Sequence, residues 1–152
     1  MRITFLLPFV LAGLVVTAHA DDNPVIPAIT HQVDGSFEDI AFAVENAIVN
    51  KGLVIEQRSH VGEMLNRTKE DVGGQKDLYT HGDVYTFCSA TVSREVMEAD
   101  ILNIQHCPYS IFLFETPDQP GKITVGRRGY DPSMQPAADM LDDIIADALM
   151  LE

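Results

Sequence analysis

Apolar residues recur along this chain with two periods, and the switches between them mark out short strands and helices. Residues 28–33, closed by Asp34-Gly35, read as a first strand and residues 53–60 as a second. In a third, 84–88, Tyr85 and Phe87 share one face and Val84, Thr86 and Cys88 the other. Between the first two, Phe37, Ile40, Ala41, Val44, Ala47 and Ile48 recur at helical spacing. Ser36 and Asp39 have the spacing of a capping box there, and Gly52 stands where a C-terminal cap belongs. Residues 63–71 read as a short helix halted by Gly73-Gly74. Ser93 caps a helix that runs to about Ile104, and Pro108 prevents its continuing. Residues 110–115 are nearly all apolar, as expected of a strand covered on both faces. The turn TPDQPG breaks that run, and residues 122–127 return as a hairpin strand. Residues 137–151 are amphipathic, with Met140, Leu141, Ile144, Ile145, Ala148 and Leu149 opposite Asp139, Asp142, Asp143 and Asp147. The sum predicts an α+β domain, a largely antiparallel sheet packed by helices.

The first twenty residues stand outside this pattern. Arg2, the apolar run from Phe5 to Val16 and the small-x-small site Ala18-His19-Ala20 have the layout of a cleavable export signal. The run is too short for a stable anchor across a bilayer core of about 30 Å, so no membrane insertion is expected after cleavage. The mature chain then starts at Asp21, with a polar lead-in over 21–27 before the first strand and one domain over 34–152. Its expected destination is an oxidising compartment, a bacterial periplasm. Cleavage removes one arginine and no acid, taking the net charge from −13 to −14. Such a field disfavours nucleic acid and anionic membrane surfaces and favours metal ions or a basic periplasmic protein as partner, or else serves solubility alone.

Three groups of residues are candidates for chemistry. Cys88 and Cys107, the only cysteines, are an even count in an exported chain, for which a disulfide is the default. Reduced, the same pair offers a thiol redox site, or with His106 a set of ligands for Cu(I) or Zn. Against the metal reading, adjacent His106 and Cys107 point to opposite sides of an extended chain. No other cofactor is expected. Arg127 and Arg128, paired arginines in an acidic chain, can grip an anion or pair internally. His31, His60 and His81 are scattered at strand ends and loops, as solvated or hydrogen-bonding histidines commonly are. The sequence carries no Gly-rich phosphate loop, GxSxG elbow or HExxH helix, so nucleotide, hydrolase and zincin readings lose their usual support.

The order of three segments, VDGSFEDIAFAVENAIVNKGLVIE, YTFCSATVSREV and HCPYSIFLFETPDQPGKITVG, resembles the family catalogued as domain of unknown function 302. This chain has Cys88-Ser89-Ala90 where relatives carry Cys-Asn-Pro, and His106-Cys107-Pro108 in place of Leu-Pro-Cys. The resemblance implies an antiparallel sheet with long packing helices, similar to the TATA-binding-protein-like fold, and a homodimer. It implies no reaction. The sequence thus points to an exported, non-catalytic binding or accessory domain, with a thiol-based redox or metal-handling protein as the alternative. Intact mass of protein recovered from the periplasm is expected to match a chain starting at Asp21. A membrane-retained full-length product would overturn the export reading.

Overall fold

The computed structural model describes residues 26–151. The export signal and the start of the lead-in lie outside the described residues. Five strands, β1 (Ile29–Asp34), β2 (Ile55–Ser59), β3 (His81–Phe87), β4 (Tyr109–Glu115) and β5 (Lys122–Arg127), form one antiparallel sheet in the order β1-β5-β4-β3-β2. Helix α1 (Phe37–Asn50) follows β1, and α4 (Gln135–Leu149) closes the chain. This is the expected α+β arrangement. No helix among the described residues is long and apolar enough to cross a membrane.

Local chemistry explains the helix ends. The Ser36 hydroxyl accepts from the Asp39 amide and starts α1. At its other end Gly52 sits at φ +76°, a conformation open to glycine, and the Leu53 amide reaches back to the Ile48 carbonyl. Helix α2 (Val61–Thr68) begins directly after β2, two residues earlier than periodicity suggests.

The region after β3 differs from expectation. Ser89, not Ser93, is the cap, accepting from the Val92 amide, and α3 spans Ala90–Ala99. Asp100 then leaves helical geometry and caps a separate 3-10 helix, Ile101–His106, so the single predicted helix to Ile104 is two elements. Ser93 faces inward instead, its hydroxyl 3.1 Å from the Tyr109 hydroxyl and 3.9 Å from Cys107 Sγ.

The core lies on one face of the sheet. Alternate residues Tyr85, Phe87, Tyr109, Ile111, Leu113, Ile123 and Val125 meet Val44 and Ile48 of α1 and Leu141, Ile144 and Ile145 of α4, all buried. Strand β4 is therefore not covered on both faces, as its composition suggested. Its even positions Phe112 and Phe114 are half-buried on the other face, stacked at 6.3 Å, with Tyr79 edge-on to Phe114. Both long helices pack on the opposite face, and aromatic rings cover one another where a helix does not.

Ile111 and Leu113 stand in the middle strand of five, fully packed. Replacing either with Ala is expected to cost about 2–5 kcal/mol in urea unfolding through lost burial and a cavity. Losses under about 1 kcal/mol for both would mean the strand does not carry the core.

Candidate functional site

One charged residue on the core face organises a site. Asp83 is 5% exposed, because the alternation that buries Tyr85 and Phe87 also turns Asp83 inward. An unpaired carboxylate there would cost several kcal/mol, and the neighbouring strand and the residue just past its end supply its partners. Arg58 directs Nε and Nη2 at Asp83 Oδ2, each at 2.8 Å, and His60 Nδ1 lies 2.9 Å from Oδ1. A carboxylate only accepts, so the Nδ1–H donates and His60 is left with Nε2 as its outward nitrogen.

The shape of Arg58's surroundings is consistent with this role. Burial opposes its charge, but Asp83, Tyr85 and Glu45 together outweigh that and hold the guanidinium above its ordinary pKa. The guanidinium also lies over the Tyr85 ring, 5.2 Å from its centroid. Tyr85 is pushed up to about 12 by burial, and its hydroxyl donates to the Ala41 carbonyl.

Around this group opens a cleft of about 590 Å³. Its walls are the start of α1 with Phe37 and Glu38, the end of β2, and α2 with Glu63, Asn66 and Arg67. Thr80 to Asp83 form the floor. Helix α2 can lie this close to β3 only because it crosses at Gly62: a Cβ there would sit 2.7 Å from the Gly82 nitrogen. Asn66 fixes the far end by donating to the Tyr79 carbonyl at 2.9 Å. His81 stacks on Phe37 at 4.9 Å, with its Nε2 3.9 Å from Glu115. The His60 side chain is 54% exposed to this cleft and solvent, so its Nε2 is accessible.

The other candidate residues fall elsewhere. Cys88 and Cys107 are paired in a disulfide, their Cα atoms 6.6 Å apart, and no free cysteine remains. The bridge closes the α3 and 3-10 excursion at the start of β4, and a loop of about this length is stabilised by roughly 3 kcal/mol on the chain-entropy estimate. His106 does not join the cysteines as a ligand set. Among the described residues no three His, Cys, Asp or Glu side chains converge to hold a metal. Its ring sits edge-on to Tyr130 at 5.2 Å, and burial, aided by Arg128, lowers its pKa.

Of the two readings open for Arg127, anion grip and internal pairing, the structure has the second. Arg127 is 6% exposed, directs Nε and Nη2 at Asp142 of α4 at 2.6 and 2.5 Å, and donates Nη1 to the Arg128 carbonyl. Arg128 is exposed beside it and does not share the pairing. Two more acids of α4, Asp143 and Asp147, flank Lys51, while Asp139 accepts from the uncharged Gln135 and keeps its charge. His31 lies within β1, half-buried.

No family model and no curated protein matches the chain. Among solved structures, it superposes on the crystal structure of an uncharacterized conserved protein DUF302 from Bacillus stearothermophilus. The TM-score is 0.63 at 15% identity, over 82% of this chain and 98% of that one. The chain has the fold of a DUF302 protein. The family resemblance of the three sequence segments and the DUF302 architecture thus agree, and at this identity the likeness speaks to fold alone.

Replacing Asp83 with Asn keeps the shape and removes the charge that holds Arg58 and His60. The expected cost is about 1–3 kcal/mol of stability, the usual range for a buried charge-assisted bond. Nitrogen-15 NMR of neutral His60 should show the Nδ1–H tautomer in the parent and a shift toward Nε2–H in the variant. An Nε2–H tautomer in the parent would show that Asp83 does not orient the ring.

Proposed function

We propose that this is an exported, non-catalytic binding domain whose ligand sits in the cleft beside Asp83. The observation that carries the reading is the buried Asp83 carboxylate. It anchors Arg58 and His60 by their inner atoms and leaves His60 Nε2 exposed in a cleft of about 590 Å³. That volume lies in the range of small-molecule sites, with a few convergent polar groups fixed by their neighbours. Binding is favoured over catalysis because the cleft lining offers no serine or cysteine to serve as nucleophile, and Thr80 is its one hydroxyl. Export is supported by the Ala18-His19-Ala20 site and by a cysteine pair that suits an oxidising compartment. In this reading Cys88 and Cys107 staple the chain, whereas the thiol or metal alternative needs them reduced. Self-association and a basic partner are further proposals, the second supported by the net charge of −13 rather than by the acids of α4, three of which face Lys51 or Arg127.

The test is an amide NMR screen of the mature chain against free amino acids, dipeptides, hydroxy acids, sugars and inorganic phosphate. At least one class is expected to move the signals of His60, Glu63, Arg67 and Gly82, with the response lost in His60→Ala and the compound recovered unchanged. No response from any class, or turnover of the compound, would overturn the reading.

A further inference from the structure

Two oppositely charged side chains on the helix walling this cleft stand apart when their spacing favours contact. Glu63 and Arg67 lie four positions apart on α2 with the acid first, the order that pairs best on a helix. Among the described residues neither makes an ion pair, although both line the cleft. Arg94 and Glu98 on α3 have the same spacing in the less favourable order and meet at 2.8 Å. Other surface pairs, such as Lys69 with Asp77 and Lys122 with Asp34, are closed too. The split pair on α2 thus leaves a carboxylate and a guanidinium facing the same cavity.

The charge balance of the cavity narrows what fits between them. Arg58 is neutralised by Asp83, which leaves Glu38 and Glu63 against Arg67. A phosphate or sulfate entering there would meet two carboxylates and one open guanidinium, an unfavourable exchange for its hydration. A ligand with both charges meets a partner for each. We infer that the cleft takes a small zwitterion of the amino-acid or dipeptide class, its carboxylate on Arg67 and its ammonium on Glu63. Helical neighbours at this spacing have Cβ atoms about 5–6 Å apart, a span the two termini of a dipeptide bridge. The outward Nε2 of His60, an acceptor while the ring is neutral, suits an N–H of the same ligand, and the Phe37–His81 stack offers a flat wall for its apolar part. This assignment rests on the cleft being the binding site.

The experiment titrates the mature chain with alanyl-alanine, its N-acetyl derivative, its C-terminal amide and inorganic phosphate, read by calorimetry and amide NMR. The dipeptide is expected to bind, and each blocked form to bind about tenfold or more weakly, the usual loss of one charge-assisted bond. In Glu63→Gln the dipeptide and its N-acetyl form should converge in affinity. In Arg67→Gln the dipeptide and its amide should converge. Both positions are exposed, so an unchanged thermal midpoint checks that the variants fold. Equal binding of the N-acetyl form, tighter binding of phosphate, or no binding of the dipeptide would overturn the zwitterion assignment. If cleft signals respond to another class while the dipeptide leaves them still, the assignment falls and the binding reading stands. If nothing moves those signals, both fall.

Discussion

The burial of Asp83 sets the terms for everything around it. A carboxylate on the core face of a strand must find its full complement of donors, because the surrounding apolar packing supplies none. Arg58 on β2 and His60, one residue past its end, meet that need, two residues apart and therefore on one side of the extended chain. The requirement in turn fixes the register of β2. A slip of one residue would carry both side chains to the opposite face and leave the charge stranded. The irregularity of β2, between Ile55 and Gln57, lies upstream of this pair, so the strand adjusts where no charge depends on it. Because His60 is also the residue from which α2 departs, the same bond sets where that helix starts and hence where the cleft opens.

A second charged residue stands on the same face of the sheet and has the opposite outcome. Arg127, at the end of β5, is closed off by a two-point contact with Asp142, and its third nitrogen, Nη1, donates to a backbone carbonyl. Each of its three nitrogens has an internal acceptor, and the pair fastens β5 to α4. The Asp83 group is built from one more partner, and that partner is a histidine with a nitrogen to spare. Two buried charges on one face therefore serve different ends: one completes the packing, and the other turns a side chain toward solvent.

Strand and helix types were legible because each rests on local spacing, and the errors fall where a choice depends on distant neighbours. The apolar pattern starts the third strand at Val84, since the sequence before it is polar. Extending the alternation of Phe87 and Tyr85 by one more step points to Asp83, and with Arg58 and His60 at matching spacing the cluster was readable in principle. Nothing local signals that two strands so far apart in sequence are paired. Ser89 and Ser93 are equivalent caps on local grounds, and the choice between them follows from Tyr109 and Cys107, which hold Ser93 inward. Phe112 and Phe114 suggested burial on both faces, but strand composition cannot tell helix cover from rings covering rings. Arg127 stands out in the sequence as one of two adjacent arginines in an acidic chain, while its partner Asp142 falls on the polar face of the last helix.

The disulfide and the cleft occupy opposite ends of one strand, which separates two ideas that the sequence leaves entangled. His81 and Asp83 open β3, and Cys88 follows its last residue. At about 3.3 Å per residue, six steps put His81 and Phe87 roughly 20 Å apart. A molecule in the cleft therefore does not touch the cysteines, and the cysteines supply no atom to what happens there. What the bridge does provide is a fixed end for β3. It ties that end to the segment entering β4, and β4 pairs with β3 along its whole length, from Phe87 and Tyr109 to His81 and Glu115. Holding the far end of this ladder limits fraying of the strand that carries Asp83, so a staple remote from the cleft supports the position of the charge around which the cleft is built.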